Sequence, residues 1–293
     1  MYTAIITAPK TFLYETAQAK TVSDELLSGW IVGIQQSCGA YVKATTHYGY
    51  TGWLRSSALR RISPKEHICW NVNFQNQLLP TNAANTSIYP DYLYNASAAA
   101  ICRNIVDVHK EPRMQAKIIC PLYMGSAILL CGRPEDGWQK IKLANGRSGY
   151  IPSSAVLAPR EAPCTPQELR DTIIRYAMSF LGAQYRWGGK TWEGIDCSGL
   201  TFMSYYMCGI IIYRDAAIVE GYPIHAIPLS QIQPADLIYF PGHIALYLGD
   251  GKYIHSTGNL ASNGCVVNSL NPNDPSYRAD LAESLQAAGS AFC

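Results

Sequence analysis

The sequence predicts a multidomain chain in which two small β-barrels precede an α+β domain. Two observations predict the barrels: short alternating apolar segments separated by Gly and Asp turns, and one motif that occurs at both residues 52–59 and 149–157. A third observation predicts the α+β domain, because a helical apolar pattern over residues 167–181 precedes a hairpin pattern over residues 236–256. The length of 293 residues is sufficient for two or three domains.

The composition indicates a folded chain with little charge. Apolar residues make up 48% of the chain, charged residues 15%, and the net charge is +2. This apolar content supports buried cores and excludes global disorder. The near-neutral balance excludes the basic field that nucleic-acid binding needs, and no apolar run approaches the roughly 18 residues of a membrane span. No signal-peptide pattern opens the sequence, and the compartment stays open between cytoplasm and cell surface.

The repeated motif closes each predicted barrel. It reads Gly-Trp-Leu at residues 52–54 and Gly-Tyr-Ile at residues 149–151, and Ser-Ser-Ala follows in both copies. Short alternating apolar segments precede each copy. We therefore assign residues 1–62 to the first barrel and residues 104–158 to the second.

The connector between the barrels, residues 63–103, has no clear period. We expect it to pack on a neighbouring domain because it carries five large aromatic residues: Trp70, Phe74, Tyr89, Tyr92 and Tyr94. A second, shorter linker spans residues 159–166. It leads to a helix over residues 167–181, for which Thr165 is the predicted N-cap and Pro166 the first helical position.

The 10 cysteines form no disulfide framework or metal-site pattern that the sequence reveals. They are scattered from Cys38 to Cys293, without a Cys-x-x-Cys pair. In a chain of this length we expect most of them to be small, buried apolar residues.

One cysteine has a distinct setting. Cys197 lies in the segment Gly-Ile-Asp-Cys-Ser-Gly-Leu, residues 194–200, and the apolar stretch after it indicates a buried helix that begins at Cys197. Free backbone N–H groups and the helix dipole at such a position favour a thiolate, lower the thiol pKa and can hold an oxyanion. The alternative is an inert buried cysteine, as we expect for Cys208.

Two histidines lie on the predicted hairpin, His243 in its first strand and His255 in its second. A two-residue Asp-Gly turn would place His255 opposite Leu246, with the histidines on opposite faces. A three-residue loop over residues 249–251 would place His255 opposite Ala245, with both histidines on one face. We expect the three-residue loop because only that register makes a working pair.

A cysteine with two histidines suits nucleophilic catalysis. His243 would take the thiol proton of Cys197, and His255 would accept the Nδ1–H of His243. The thiolate would attack an amide carbonyl, and protonated His243 would supply a proton to the leaving amine. Metal binding by the same three side chains is the competing interpretation, but a single thiolate at a helix start suits catalysis better than a closed zinc site. We expect neither a metal nor another cofactor.

These motifs resemble a known family. Asp-Cys-Ser-Gly-Leu at residues 196–200, Tyr-Arg-Trp-Gly-Gly at residues 185–189 and the two later histidines resemble the NlpC/P60 family of papain-like cell-wall peptidases. The resemblance covers about residues 167–260 and implies a papain-like α+β catalytic domain at residues 167–293. The two barrels resemble bacterial SH3-type domains.

The whole chain resembles the γ-D-glutamyl-L-diamino acid endopeptidases of the dipeptidyl-peptidase VI type. This resemblance implies hydrolysis of murein stem peptides after γ-D-Glu. It also implies the residues that contact bound L-Ala-γ-D-Glu in the catalytic domain: Tyr185, Asp196, Ser198, Arg214 and Asp215. The first SH3-type domain of the subgroup adds an acidic residue and a tyrosine, and the matching positions here are Glu25 and Tyr50.

The expected partners are therefore peptidoglycan stem peptides and muropeptides, bound by a monomer. A carboxylate-lined pocket suits an ammonium group, so we expect the substrate to begin with an unblocked L-Ala. Two alternatives stay open: another amidase or acyltransferase on the same scaffold, and a wall-binding protein with an inactive peptidase domain. The chain departs from the family pattern at Ala235 and Ala245, where glycine is usual.

Overall fold

The computed structural model describes residues 2–72, 98–157 and 164–292. Residues 2–72 and 98–157 belong to one compact unit, called here the N-terminal unit, and residues 164–292 belong to a second, the C-terminal unit. Within these ranges, no helix combines the length and the apolar character needed to cross a membrane.

The N-terminal unit contains two antiparallel sheets. The strands of the first are β1 (Tyr2–Ile6), β2 (Lys10–Tyr14), β3 (Val22–Leu27), β4 (Ile31–Cys38), β5 (Tyr41–Thr46), β6 (Thr51–Arg55) and β7 (Leu59–Arg61), in the spatial order β3-β2-β6-β5-β4-β1-β7. The strands of the second are β8 (Ala98–Ala100), β9 (Ile105–His109), β10 (Ile118–Tyr123), β11 (Ala127–Leu130), β12 (Trp138–Lys142) and β13 (Ser148–Pro152), in the order β10-β9-β13-β12-β11-β8. Strands β4 and β5 precede the first copy of the motif, and β11 and β12 precede the second, as the alternating apolar segments predict.

The repeated motif adopts the same local structure in both sheets. Gly52 on β6 and Gly149 on β13 each lie against a neighbouring strand so closely that a Cβ would come within 2.6 Å of Leu13 and 2.5 Å of Val108, respectively. The Ser-Ser-Ala that follows forms a 3-10 turn in both copies, Ser56–Ala58 and Ser153–Ala155. Glycine recurs in the motif because no side chain fits there.

Part of the predicted connector is ordered structure. It contributes helix α1 (Pro64–Trp70), which begins with a capping box between Ser63 and Glu66, and strand β8 of the second sheet. Trp70 is buried and packs with Ile5 and Ala127, as expected of a connector that contacts a neighbour. The other four aromatic residues of the connector lie outside the described residues.

The two N-terminal sheets are joined by backbone contacts as well as by apolar packing. The indole N–H of Trp30 donates to the carbonyl of Gly125 at 2.8 Å, and the Ala127 amide donates to the carbonyl of Ser28 at 2.9 Å. Gly29, at φ +81°, lies so close that a Cβ would come within 2.3 Å of the Ala127 oxygen. The sheets therefore form one unit rather than two separate bodies.

The C-terminal unit is an antiparallel sheet with helices. Its strands are β14 (Lys190–Thr191), β15 (Gly194–Ile195), β16 (His225–Ile227), β17 (Leu237–Phe240), β18 (His243–Gly249), β19 (Lys252–Thr257), β20 (Gly264–Ser269) and β21 (Ala287–Ser290). Strands β14 and β15 pair with each other, and the other six form a sheet in the order β16-β21-β17-β18-β19-β20. Its helices are α2 (Pro166–Ser179), α3 (Cys197–Tyr206) and α4 (Ala279–Glu283).

Helix α2 begins where the sequence predicts. Thr165 accepts the Glu168 amide, and Glu168 accepts the Thr165 amide in return, which makes a capping box ahead of Pro166. On the buried side of α2, Arg170 donates to Asp236 at 2.8 Å, and both side chains are almost fully buried. This ion pair ties the helix to the start of β17.

The cysteines are less buried than expected. The nine that the structure describes are free thiols; Cys38 is exposed, Cys69, Cys102, Cys120 and Cys131 are half-buried, and Cys164, Cys197, Cys208 and Cys265 are buried. The expectation that most are buried is therefore wrong. All four half-buried cysteines lie in the N-terminal unit, whose small sheets leave few fully enclosed positions.

Candidate active site

Cys197 begins helix α3, as the sequence predicts. Asp196 is the N-cap, and its carboxylate accepts the Gly199 amide at 2.5 Å. Gly199 lies so close to the preceding loop that a Cβ would come within 2.2 Å of the Gly189 oxygen. Gly189 of the motif at residues 185–189 and Gly199 of the motif at residues 196–200 therefore let the two backbone segments pack directly together, which fixes where α3 begins.

Helix α3 packs against α2 and against strands β18 and β19. The hydroxyl of Ser256 on β19 donates to the carbonyl of Ile195 at 2.6 Å, just ahead of the cysteine. The amide of Ile244, which follows His243 on β18, is a hydrogen-bond donor to the Cys197 thiol. These contacts hold the thiol at the strand that carries His243.

The thiol pKa of Cys197 is raised to about 11, opposite to the expected direction. Burial of the side chain, which is 9% exposed, is the largest cause, and the negative charge of Asp196 adds to it. The amides of Ile244 and Ser198 act in the other direction but are weaker. The helix start therefore stabilises a thiolate less than burial disfavours it, and the resting group is a neutral thiol.

The hairpin that carries the histidines has a two-residue turn, so the predicted three-residue loop is wrong. Gly249 pairs with Lys252, and Asp250 and Gly251 between them have φ of 51° and 75°. These left-handed conformations make a two-residue turn that fits the twist of the strands.

The register nevertheless places the two histidines on one face. Leu246 pairs with Ile254 and Tyr247 with Tyr253, so Leu248 is an extra residue in a β-bulge next to Gly249, at φ 100°. This register places His255 opposite Ala245, two residues from His243. The predicted pairing is therefore present, with the bulge supplying the odd residue that the loop does not.

The two imidazoles are hydrogen-bonded through atoms other than those expected. His243 Nε2 lies 2.7 Å from His255 Nδ1, and His255 Nε2 lies 2.9 Å from Asn268 Oδ1. The expected use of His243 Nδ1 is wrong, because the ring presents Nε2 to His255 and Nδ1 takes no part in that contact.

Asn268 is a site residue that sequence reasoning missed. It lies on β20, whose pairing with β19 places it opposite Tyr253. The available signal was a single amide at the end of the apolar run Cys265-Val266-Val267. That signal is weak because the sequence does not give the register of the third strand.

Both imidazoles are neutral at physiological pH. Burial is the largest cause that lowers the pKa of His243 and of His255, and the charge of Arg278 lowers both further. The positive charge that His255 would carry lowers the pKa of His243 as well. The resting site is therefore a neutral thiol with neutral imidazoles rather than a thiolate–imidazolium pair.

Three of the predicted binding residues form one buried cluster. The Arg214 guanidinium donates to Asp196 at 3.1 and 3.2 Å and to the Ser198 hydroxyl at 2.6 Å. Asp196 also accepts the Gly188 amide at 2.8 Å. All three side chains are buried, so the guanidinium compensates the Asp196 charge beside the cysteine.

Tyr185 and Asp215 are half-buried at the same site. Burial raises the pKa of Tyr185 to about 12, and the nearby charges of Cys197 and Asp196 contribute. The Tyr185 ring lies against Gly258, where a Cβ would come within 3.2 Å of it. Asp215 directly follows Arg214, which places it next to the buried cluster.

Glu25 and Tyr50 belong to the N-terminal unit. Glu25 on β3 is fully buried and pairs with Lys10 at 2.9 Å. Tyr50 is half-buried in the turn before β6, where its amide donates to the Thr46 hydroxyl at 2.9 Å. Their role towards a substrate stays a prediction.

The two departures from the family pattern are both buried. Ala235 has φ 72°, a left-handed conformation that glycine adopts without strain. Ala245 pairs with Ile238 on β17. The substitution at Ala235 therefore retains the backbone conformation for which glycine is usual and accepts its strain.

The site combines a cysteine at a helix start with a nearby histidine, and a second polar side chain orients that histidine. This arrangement defines the class of hydrolases that use a thiol nucleophile. The sequence model of the NlpC/P60 family matches residues 182–278. A dipeptidyl-peptidase 6 of Lysinibacillus sphaericus is 42% identical over 197 residues, which is 66% of this chain and 72% of that protein. A γ-D-glutamyl-L-lysine dipeptidyl-peptidase of Bacillus cereus is 26% identical over 254 residues, 81% of this chain and 68% of that protein.

The fold agrees with a crystal structure of an NlpC/P60 family protein from Bacillus cereus. The TM-score is 0.72 at 20% identity, with 98% of both chains covered. The family model and the 42% identical relative show that the chain belongs to the NlpC/P60 family, and its fold includes an N-terminal β-rich region. The predicted family is confirmed.

Proposed function

We propose that the protein is a cysteine peptidase that hydrolyses murein stem peptides between γ-D-Glu and the L-diamino acid. The observation that carries the proposal is the position of Cys197 at the start of α3, beside the strand on which His243 is bonded to His255. The names of the two relatives, dipeptidyl-peptidase 6 and γ-D-glutamyl-L-lysine dipeptidyl-peptidase, support this choice of bond.

The proposed architecture is two SH3-like domains followed by a papain-like catalytic domain. Support for the first part is the repeated Gly-aromatic-apolar strand with its 3-10 turn in both N-terminal sheets. Support for the second is the helix that begins at Cys197 and packs on strands β18 and β19. In this division β8 extends the second SH3-like domain back to Ala98.

In the proposed reaction, His243 acts as a base during attack rather than before it. Nδ1 of His243 takes the Cys197 proton as sulfur attacks the γ-carbonyl carbon of D-Glu, because Nε2 is occupied by His255. Amides in the first turn of α3 stabilise the oxyanion. Its collapse breaks the C–N bond, and His243 protonates the leaving amine. Water, deprotonated by His243, then hydrolyses the thioester and restores the thiol.

The specificity proposal is that the substrate begins with a free L-Ala. Asp215 directly follows Arg214, whose guanidinium is paired with Asp196. We assign the contact with the L-Ala ammonium to Asp215 because the family resemblance implies it and because its side chain is half-buried. A partly desolvated ammonium needs such a charged partner.

A paired assay tests the proposal. Free L-Ala-γ-D-Glu-diamino acid peptides and intact sacculi are supplied separately, and the released diamino-acid peptides are measured. The free peptide should react faster, and Asp215→Asn should cost about 2–5 kcal/mol in kcat/KM, the range for truncating a buried charge pair. Asp171→Asn, on the exposed side of α2, is the matched control and should change nothing.

The other outcomes identify the alternatives. Equal rates on both substrates would reject the free-amine requirement. Failure to cleave either substrate, with Cys197 still reactive to iodoacetamide, would favour another amidase or acyltransferase. Wall binding without thiol reactivity would favour an inactive binding protein.

A further inference from the structure

We propose that Asn268 is a positioning residue that sets the proton positions on both histidines and so leaves the base nitrogen of His243 able to accept the thiol proton. The inference rests on the proposed function. The inference is drawn from two hydrogen bonds that join three side chains on the adjacent strands β18, β19 and β20: His243, His255 and Asn268. Each contact in this chain fixes the direction of the next.

The chain starts at a group that can only accept. Asn268 Nδ2 donates to the Ser276 backbone carbonyl at 2.9 Å, and a carbonyl oxygen has no proton to give. A flipped amide would place two acceptor oxygens against each other at this distance. Asn268 therefore presents Oδ1, an acceptor, to His255.

The Ser276 carbonyl is itself held in place. It also accepts the Ser269 amide at 3.1 Å, at the end of β20. The amide and hydroxyl of Ser276 both donate to Asp274, at 2.8 and 2.7 Å. The segment that orients the Asn268 amide is therefore fixed at both its carbonyl and its side chain.

The proton positions on the histidines follow from this orientation. His255 Nε2 faces Asn268 Oδ1 and must carry the proton, so in a neutral ring its Nδ1 is an acceptor. His243 Nε2 faces that Nδ1 and must in turn donate. The lone pair of His243 is then on Nδ1, the nitrogen that the chain leaves for Cys197.

The opposite arrangement would disable the base. If His255 carried its proton on Nδ1, His243 Nε2 would have to accept it, and the His243 proton would then lie on Nδ1. A ring nitrogen that already carries a proton cannot take one from a thiol. His255 is fully buried, which restricts access of the water that could otherwise stabilise either form.

Nitrogen-15 NMR of the resting protein tests the assignment without substrate. In protein labelled with ¹⁵N-histidine, long-range proton–nitrogen correlations distinguish Nδ1–H from Nε2–H rings. Single substitutions of His243 and His255 assign the signals. The unsubstituted protein should show both rings as Nε2–H, and an Nδ1–H signal for His255 would overturn the proposal.

Three variants connect the spectrum with turnover. Asn268→Ala removes the acceptor, so His255 should populate both the Nδ1–H and the Nε2–H forms. The value of kcat should then fall about 10- to 100-fold, which is less than the 10²–10⁴-fold contribution of a whole general base. KM should change little. Asn268→Gln keeps both the acceptor for His255 and the donor for Ser276, and should keep more of the Nε2–H form and of kcat than Asn268→Ala. Asn273→Ala, exposed in the same segment, is the control.

The outcomes distinguish a positioning role of Asn268 from a purely structural one. If Asn268→Ala lowers kcat and the thermal midpoint while His255 stays Nε2–H, the role is structural and the proposal is overturned. Unchanged kcat overturns it as well. If Asn268→Ala does not fold, the spectra of the unsubstituted protein and of Asn268→Gln decide.

Failure of the proposed function has a different signature. Murein peptides would then not be cleaved by the unsubstituted protein, although its rings were both Nε2–H. In that case the rate of Cys197 alkylation by iodoacetamide replaces kcat. A slower rate in Asn268→Ala than in Asn268→Gln supports the inference, and equal rates overturn it.

Discussion

His243 Nε2 and His255 Nδ1 lie 2.7 Å apart, although a two-residue turn joins their strands. In a regular hairpin with that turn, the two side chains would face opposite sides of the sheet. Leu248, the extra residue of the bulge, shifts the strand by one position and brings His243 to the face of His255. The bulge therefore absorbs the one extra residue that, in a regular hairpin with this turn, would put the histidines on opposite faces.

Two deletions in β18 test this register. Deleting Leu248 alone leaves a regular hairpin in which Leu246 still pairs with Ile254, so we expect most activity to remain. Deleting both Tyr247 and Leu248 shifts the register by one and separates the histidines. The loss in kcat should then approach the 10²–10⁴-fold rate contribution of a general base. Activity assays with circular dichroism for folding check this, and an active double deletion would contradict the register.

Cys197→Ala should abolish turnover while the thermal midpoint changes little, because a small side chain is removed from the edge of the site. Chelators should have no effect on the unsubstituted protein. Cys208→Ala is the matched control: this cysteine is fully buried two residues past the end of α3, so its loss should lower stability and leave turnover intact. Residual turnover in Cys197→Ala, or loss of activity with chelator, would reject a thiol nucleophile.

The buried histidines should make stability fall in mild acid. Both have a lowered pKa in the folded state, so below the ordinary value of 6.5 the unfolded chain binds protons that the folded chain does not. Their contribution is complete above pH 6.5 and is lost as the pH falls towards their folded values. Urea unfolding at pH values from 7.5 to 5 measures it. His255→Gln should show a shallower dependence, and an equal slope in both proteins would contradict the pKa directions.

Arg214 should be essential to the stability of the cluster beside the cysteine. Arg214→Met leaves the Asp196 carboxylate buried without its cation, at a cost of about 3–5 kcal/mol in the free energy of unfolding. Arg214→Lys keeps the charge but loses the paired contact with Asp196 and should cost less. Urea unfolding together with KM measurements checks both variants. Equal stability of Arg214→Met and the unsubstituted protein would show that the Asp196 charge needs no partner.

Features encoded by contiguous residues could be predicted. The capping box at Thr165 and the apolar run after Cys197 are local signals, and both helices begin where these signals lie. The Gly-aromatic-apolar repeat could be recognised in the sequence for the same reason. Its glycines are required by contacts within each sheet, so the motif recurs with the local structure.

Features that depend on a balance of forces or on distant pairing could not be predicted. The thiol pKa of Cys197 depends on burial that the whole C-terminal unit creates, and burial outweighs the helix start. The bulge at Leu248 and the contact of Asn268 depend on registers between strands, which the residues themselves do not display. Sequence reasoning therefore singled out Cys197, His243 and His255 but not their resting protonation or the contact of His255 with Asn268.

The bond from Trp30 to Gly125 and the close approach of Gly29 to Ala127 have a consequence for how such chains can recombine. Each N-terminal sheet supplies partners for polar groups of the other, so neither sheet can be replaced on its own. A chimera that replaces only one of them would bury the Trp30 indole without its acceptor or place a side chain where only Gly29 fits. Exchange between relatives should therefore succeed only when both sheets are inherited together.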